Sequence, residues 1–247
     1  MDKLAFQEAC EQVIDVDYAR DSIGILKEKT LHAVLKRYFE PHTENHEVRI
    51  GSYVADIVGE HGIVEIQTAG FDKLRKKLDC FLEVSPVTVV YPVAQIKWLS
   101  WIDPQTGEVS PRRKSPKRGS LCDTAWELNK IRTYLNHPNL TVQLLFLELC
   151  EYRYLNGWSA DKKKGSVRCD RIPLALCDTV VLAETRDYRC FLPEGLTEPF
   201  TVKEFAKQAH TPPKRASQVL FLLTSIGLLK RCGKRGNAFL YCCSETE

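Results

Sequence analysis

The sequence predicts an α/β (α+β) fold in which helices flank a mixed central sheet, with a small module of different pattern at the C-terminus. Three observations support this prediction. Segments with helical apolar spacing and segments rich in β-branched residues follow the order helix–strand–strand–helix–strand–strand–helix–strand. The 247 residues suffice to bury one core and a small satellite domain. The hydrophobic content of 44% is ordinary for a folded chain.

The first predicted helix covers residues 25–39. Its apolar side chains recur at helical spacing, and Pro41 with the polar residues after it ends the helix. Glu28 and His32 are four residues apart and therefore lie on one face. That face is either part of a site or simply exposed to solvent.

A β-hairpin follows, and it carries acidic groups within apolar strands. The hairpin covers residues 47–58 and 63–68, joined by a short turn from Gly59 to Gly62. Side chains alternate along a strand, so Glu65 and Gln67 share a face, and Asp56 joins them if the register matches.

Carboxylates that meet on an apolar sheet repel each other and lose hydration, and a divalent cation relieves both costs. Oxygen ligands with open water positions suit Mg²⁺ or Mn²⁺. The alternative is that Asp56 and Glu65 lie on the solvated face of the hairpin. Apolar residues on both sides of Glu65 favour a buried strand instead.

The next elements complete the predicted sheet domain. Residues 71–84 predict an amphipathic helix whose first turns are basic, and residues 87–94 and 96–102 predict two strands. A helix over 121–135, capped by Ser120 or Asp123, precedes a long apolar strand over 140–149.

A basic loop lies between the turn at 103–107 and the helix that begins at 121. Two Ser-Pro dipeptides, each followed by basic residues, predict an extended loop with five cations and no anion: Arg112, Arg113, Lys114, Lys117 and Arg118. Such a cluster is typical of phosphate contacts, although a solvated loop is the ordinary alternative. Because the net charge is only +3, DNA affinity must come from local patches of this kind.

The C-terminal module, residues 199–241, predicts two helices and a hairpin with a basic tip. Thr201 and Glu204 form a capping-box pattern, Pro212 and Pro213 mark the turn, and residues 230–241 predict two short strands around a wing. The order resembles winged helix-turn-helix domains, and the resemblance implies DNA contacts through side chains of the second helix and the wing: Lys214, Arg215, Gln218, Lys234 and Arg235. A winged helix that binds protein is the alternative.

The hairpin itself resembles the core of the PD-(D/E)xK nuclease superfamily, the restriction-endonuclease-like fold. Asp56 stands at the position of the family Asp, with Ala55 where Pro is commonest, and Glu65 stands at the position of the Glu. Gln67 replaces the usual Lys, a Glu-x-Gln variant that some restriction enzymes of the superfamily also carry. The rest of the chain is similar to an uncharacterised bacterial group that combines this core with a C-terminal winged helix.

This resemblance implies a metal-dependent DNA endonuclease. Asp56, Glu65 and the carbonyl of Ile66 would hold Mg²⁺ or Mn²⁺, and Gln67 would orient the attacking water. Family members also contribute an acid from the first helix, for which Glu28 is the candidate. They can replace the missing Lys with a basic residue from the next helix, which points to Lys73 or Lys76.

The resulting domain boundaries are 1–155 for the nuclease-like domain, 156–197 for connecting strands or linker, and 198–247 for the winged helix. Two alternatives remain open beside the endonuclease. One is a catalytically inactive DNA-binding regulator, which Gln67 favours, and the other is a subunit of a larger machine. Because one active site cuts one strand, double-strand cleavage would imply a homodimer.

Composition limits the location of the protein. No apolar stretch is long enough to span a membrane, and Met1–Phe6 lacks the cationic start and apolar core of a signal peptide. The ten cysteines form no Cys-x-x-Cys pair, so we expect free thiols in a reducing, cytoplasmic compartment and no membrane partner. A zinc site that uses Cys169, Cys177 and Cys190 is the alternative.

Overall fold

The computed structural model describes residues 2–14, 29–156 and 167–244. In these residues the main sheet has seven strands and a second sheet has two. The strands are β1 (His46–Ile50), β2 (Tyr53–Gly59), β3 (Gly62–Ile66), β4 (Val87–Ile102), β5 (Arg113–Lys114), β6 (Leu140–Tyr154), β7 (Val167–Leu182), β8 (Leu229–Arg235) and β9 (Ala238–Cys243). The helices are α1 (Lys3–Val13), α2 (Thr30–Phe39), α3 (Arg75–Phe81), α4 (Leu121–Leu128), α5 (Val202–Gln208) and α6 (Pro213–Ser225).

The main sheet is mixed, which confirms the predicted fold class. Its order is β1-β2-β3-β4-β6-β7, with β5 paired to β4. The predicted hairpin is the antiparallel pair β2–β3, whereas β3, β4 and β6 run parallel. The long strands β4 and β6 form the centre because their β-branched and aliphatic residues tolerate burial on both faces.

Helices cover both faces of the sheet. On one face, α1 and α2 place Phe6, Val34 and Leu35 against Ile57 and Val90. On the other face, α3 and α4 lie over the sheet, and their buried side chains belong to the larger core: Leu78, Phe81, Ala125 and Leu128. The result is a three-layer arrangement, and the candidate site lies on the neighbouring strands β2 and β3 of its middle layer.

Strand β7 extends the sheet beyond the predicted boundary. The sequence prediction treats 156–197 as connecting strands or linker, but Val167–Leu182 pairs antiparallel with β6 along its length. Three shifts of register interrupt that pairing, and Asp170 and Arg171 interrupt the apolar pattern. The strand period is therefore weak in the sequence, and the sheet domain reaches Leu182.

The C-terminal module has the predicted order of helix, helix and hairpin. Thr201 and Glu204 form the predicted capping box of α5, and β8 pairs with β9. Its buried Phe205 and Val219 lie in the same hydrophobic cluster as Leu128 of α4. The module is therefore packed onto the sheet domain through a continuous core. None of the helices within the described ranges is long and apolar enough to cross a membrane.

Candidate active site

The candidate site lies where strands β2 and β3 separate. Their backbone pairing covers Ile57–Gly59 against Gly62–Val64 and ends there. Beyond this pairing, side-chain carboxylates take the place of backbone carbonyls as acceptors of the backbone N–H groups. The Asp56 N–H donates to Glu65 Oε1 at 3.2 Å, and the Ile66 N–H donates to Asp56 Oδ2 at 2.8 Å. The two carboxylates therefore lie together in a fork between the strands.

Glu65 receives a cation from α3. Its side chain is only 2% exposed, and Lys77 Nζ donates to its two oxygens at 3.0 and 2.8 Å. The sequence prediction points to Lys73 or Lys76 for this role, but both are exposed to solvent and neither reaches Glu65. A buried carboxylate without a partner would be costly, so this ion pair is a condition for placing Glu65 in the sheet.

The sequence carried a signal for Lys77. It lies three residues after Leu74 and four before Phe81, and both of these side chains are buried. That spacing places Lys77 on the inward face of the helix. Sequence reasoning missed it because it counted basic residues in the first turns instead of projecting them onto the apolar face.

Asp56 receives its partner from the opposite helical layer. His32 Nε2 on α2 lies 3.2 Å from Asp56 Oδ2, and the Asp56 side chain is 20% exposed. His32 was expected to lie beside Glu28, the predicted acid of this helix. Glu28 falls outside the described residues. The two carboxylates of the fork thus contact the His32 imidazole and the Lys77 ammonium group, which belong to helices on opposite faces of the sheet.

The two carboxyl groups differ in acidity. Burial and the adjacent Asp56 carboxylate raise the pKa of Glu65 to about 7, against the opposing effect of Lys77. Burial also raises the pKa of Asp56, but His32, the Ile66 N–H and Lys77 together hold it below its usual range. At neutral pH the pair therefore carries one carboxylate that is firmly ionised and one that is close to its titration point.

A cleft of about 390 Å³ opens beside the fork. His32, Ile66 and Gln67 line it together with two cationic residues, Lys29 and Arg171, and with one carboxylate, Glu47, which is paired with Lys36 at 3.0 Å. The Lys29 ammonium donates to the carbonyl of Cys169 at 2.9 Å. Burial lowers the pKa of Arg171, and its guanidinium has no hydrogen bond or ion pair within the described residues. The cleft therefore offers positive charge to a bound anion.

Arg171 was not a predicted site residue. It lies on β7, in the segment that the sequence prediction assigned to connecting strands. A half-buried guanidinium without a hydrogen bond is unusual, because this group normally forms charge-assisted hydrogen bonds; here Glu151 and Asp170 act on it only through their charge. The sequence offered no direct signal for its position, since only the pairing of β7 with β6 brings it to the cleft.

Gln67, the residue predicted to orient the attacking water, lines the cleft. Its backbone N–H donates to the carbonyl of Val90 and continues the pairing with β4. The side-chain Nε2 donates to the carbonyl of Ala69 within the turn that follows. The amide oxygen and the second N–H of the Gln67 side chain are thus left to meet a bound molecule.

The oxygen atoms of the fork are donors of the type that a hard divalent cation binds. The amide and carbonyl of one residue point to the same edge of an extended strand, so the carbonyl of Ile66 faces Asp56 as its N–H does. Two carboxylates and one carbonyl are oxygen ligands, and this short set leaves positions for water, as Mg²⁺ prefers. No group of three His, Cys, Asp or Glu side chains in the described ranges is arranged as a metal site.

The predicted basic loop is anchored to the sheet but exposed. Arg113 and Lys114 form β5, which pairs with Leu99 and Trp98 of β4. Lys114 Nζ lies 5.5 Å from the Trp98 ring. The remaining cations, Arg112, Lys117 and Arg118, are exposed to solvent.

The basic loop and the fork lie on one edge of β4. The other edge of β4 is paired with β6 throughout, so β5 occupies the same edge as β3. Nine residues separate Val90, opposite Ile66, from Leu99, opposite Arg113. At the rise of an extended strand this places the loop about 30 Å from the fork.

The predicted DNA contacts of the C-terminal module have unequal surroundings. Arg215 forms an ion pair with Asp123 at 2.6 Å, and the carbonyl of Gln218 accepts from Asn129, so α6 lies beside α4. Lys214 is exposed, without hydrogen bond or ion pair in the described residues. Of the three predicted contact residues on α6, Arg215 and the backbone of Gln218 therefore contact the α4 segment, and Lys214 is exposed.

The wing is more open. Lys234 and Arg235 are both exposed on β8. Lys234 Nζ lies 4.9 Å from the Phe239 ring, and Arg235 pairs with Glu204 at 2.6 Å. All ten cysteines are free thiols; Cys10, Cys150 and Cys169 are buried, whereas Cys190 and Cys232 are exposed.

Comparison with known proteins gives a family without an assigned activity. An uncharacterised protein of Treponema pallidum (strain Nichols) is 33% identical over 127 residues, which are 51% of this chain and 50% of the relative. The chain thus spans about half the length of the curated relative it matches. No solved structure matches the chain. A family model matches residues 29–183, which include the fork, the cleft and β7, and the chain therefore belongs to the family described as a domain of unknown function, DUF8091.

Proposed function

We propose that the chain is a metal-dependent endonuclease that hydrolyses phosphodiester bonds of DNA. The observation that carries the proposal is the fork, in which Asp56 and Glu65 converge and Lys77 contacts Glu65. The usual site of the PD-(D/E)xK superfamily, which the hairpin resembles, contains two acids and one lysine. Lys77 supplies from helix α3 the cation that Gln67 does not.

Asp56, Glu65 and the carbonyl of Ile66 would hold Mg²⁺ or Mn²⁺. A bound metal of this kind lowers the pKa of its water and stabilises charge on the phosphate. His32 keeps Asp56 ionised and oriented, because its Nε2 occupies one side of the carboxylate. The low pKa of Asp56 makes it available as an anionic ligand at neutral pH.

The cationic side chains around the fork have separate roles. Lys77 neutralises Glu65 and presents the remaining N–H of its ammonium group to the reaction centre. Arg171, whose guanidinium has no hydrogen bond or close ion pair in the described residues, would contact a phosphate oxygen in the cleft with a charge-assisted hydrogen bond. Gln67 would accept a hydrogen bond from the attacking water through its amide oxygen.

The basic loop and the wing would hold the nucleic acid away from the reaction centre. Arg113 and Lys114 are fixed on β5, about 30 Å from the fork along β4. A single DNA molecule that contacts both would span this distance with its backbone. Cleavage of both strands would require two sites and hence a homodimer. Ten free thiols support a cytoplasmic location as part of the same proposal.

The test is cleavage of supercoiled plasmid by the purified chain with Mn²⁺ or Mg²⁺. Wild type is expected to nick the plasmid, and Asp56→Ala or Glu65→Ala to reduce the rate at least ~100-fold, because each removes a ligand. Glu60→Ala is the matched control, since Glu60 is an exposed acid at the turn of the same hairpin. Wild-type cleavage by the double variant of Asp56 and Glu65 would refute the proposal.

A second candidate is a DNA-binding protein of this fold without catalysis, which the replacement of the usual lysine by Gln67 favours. Isothermal titration with Mn²⁺ separates the two candidates. The endonuclease requires binding that Asp56→Ala abolishes. DNA binding without any metal binding would support the second candidate.

A further inference from the structure

A groove between α4 and α6 carries two exposed aromatic side chains. Trp126 is 56% exposed and Phe221 is 50% exposed, and the groove they line has a volume of about 470 Å³. Large aromatic side chains are normally buried or placed where they bind something. We call this feature the interhelical groove.

Cationic residues surround both rings. Lys130 Nζ lies 5.7 Å from the Trp126 ring, and the Arg132 guanidinium carbon lies 5.3 Å from the Phe221 ring. Arg75 and the exposed Lys214 also line the groove, the remaining lining residues are uncharged, and no carboxylate is part of the lining. Lys130 is partly neutralised by Glu127 and Asp72. The groove therefore combines apolar ring faces with a positive rim.

The packing of α6 against α4 makes the groove a poor site for duplex DNA. The major groove admits one helix, whereas two packed helices have axes 8–10 Å apart. The Arg215–Asp123 ion pair and the hydrogen bond from Asn129 to the carbonyl of Gln218 hold α4 beside the first turns of α6. Unpaired nucleotides suit the space, because bases stack on aromatic faces while phosphates meet cations.

We infer that the interhelical groove binds single-stranded nucleic acid. Unpaired bases stack on Trp126 and Phe221, and Lys214, Arg132 and Arg75 contact the phosphates. The volume lies within the usual range of ligand sites and accommodates about one or two nucleotides. This binding does not depend on catalysis.

Helix α3 separates the interhelical groove from the fork. Arg75 and Lys77 are two residues apart on this helix, and Arg75 Nε donates to the carbonyl of Lys130 while Lys77 contacts Glu65. The groove and the fork therefore lie on different sides of one helix about 10 Å across. Together with the proposed function, this placement gives the substrate class: a nucleic acid with an unpaired segment beside the cleaved bond. This substrate class rests on the proposed function.

The test measures binding of a fluorescent ten-nucleotide DNA to the full chain by anisotropy, in EDTA so that cleavage cannot contribute. Trp126→Ala and Phe221→Ala are each expected to weaken binding about 5- to 150-fold, the range for loss of one stacked base. Trp126→Phe keeps a ring and should recover most of the affinity. Val84→Ala is the control, since Val84 is 66% exposed and outside the groove.

Three further arms identify the ligand and separate this inference from the proposed function. A ten-nucleotide RNA and a ten-base-pair duplex are titrated in parallel, and the duplex is expected to bind without dependence on Trp126 or Phe221. Asp56→Ala should bind the single strand like wild type even if no variant cleaves DNA. Single-strand affinity that is absent, or unchanged in both alanine variants, would overturn the inference and leave the groove to a protein partner.

Discussion

At the scale of single residues, the fork shows how two carboxylates in one small space acquire different states. Asp56 contacts His32 and a backbone N–H, whereas Glu65 is buried against Asp56 and contacts Lys77. The first set of partners lowers the pKa and the second leaves it raised. Such a separation of acidities is typical of sites that perform acid–base or metal chemistry.

Lys77 is the residue on which this arrangement depends most. Lys77→Met should lower the plasmid-nicking rate about 10²- to 10³-fold, because a preorganised cation at a reaction centre contributes on that order. The variant should remain folded, since the Lys77 side chain is 26% exposed. The measurement is the initial nicking rate at saturating Mn²⁺, with circular dichroism as the check on folding.

Lys73→Met is the matched control, because Lys73 lies one turn earlier on the exposed side of the same segment. It should nick plasmid at the wild-type rate. A larger loss in Lys73→Met than in Lys77→Met would return the catalytic role to the lysine that the sequence pattern first indicated.

The positions of Asp56 and Glu65 were predictable because one apolar hairpin fixes them through strand alternation and register. Lys77, His32 and Arg171 come from three separate elements, and only tertiary packing brings them to the fork and cleft. Periodicity on a helix could have indicated Lys77. Nothing local in the sequence indicates Arg171, because its place depends on the pairing of β7 with a strand some twenty residues earlier.

At the scale of elements, short capped segments join the sheet to the C-terminal module. The 3₁₀ helix Thr185–Phe191 places Tyr188 and Phe191 in the core. Its first turn is held by Asp187, whose carboxylate accepts the N–H groups of Ala183 and Glu184 at 2.9 and 2.8 Å. These hydrogen bonds to the charged form lower the pKa of Asp187 below its usual value.

This shift predicts the pH dependence of an Asp187→Asn variant. A carboxyl group with a lowered pKa in the folded state stabilises the fold above its unfolded pKa of about 3.9, and the effect is lost as pH falls through the folded value. At pH 7 the variant should be less stable by about 0.5–1 kcal/mol. Urea unfolding from pH 7 to pH 2.5 should show this difference shrinking below pH 4. A difference that stays constant over that range would mean that the charge of Asp187 does not stabilise the turn.

Whether an element could be predicted from the sequence depends on how regular its pattern of apolar and turn residues is. The β2–β3 hairpin and the helices of the C-terminal module followed from alternation, turn residues and caps, and the structure confirms them. Strand β7 did not, because polar residues and shifts of register interrupt its period. The basic loop was predicted as extended, but its anchoring as β5 depends on a free edge of β4 that no local pattern reveals.

At the scale of the whole molecule, the two predicted domains share one core. Phe200, Phe205 and Val219 of the C-terminal module lie in a hydrophobic cluster with Leu128 and Tyr188. The sequence suggested separate units because helix-helix-hairpin order is recognisable by itself. The sequence does not show which face of α6 is apolar enough to pack on α4. This packing joins the two predicted domains in one core.

A shared core predicts cooperative unfolding of the chain. Calorimetry should give one transition whose calorimetric and van't Hoff enthalpies agree, because separating the module would expose Leu128, Tyr188 and Phe191 to water. A chain truncated after residue 197 should therefore melt lower and bind a hydrophobic dye that the full chain does not bind. Two resolved transitions in the full chain, or an unchanged melting temperature in the truncated one, would mean that the module is an independent domain. The packing of α6 against α4 would then be too weak to keep the interhelical groove in place.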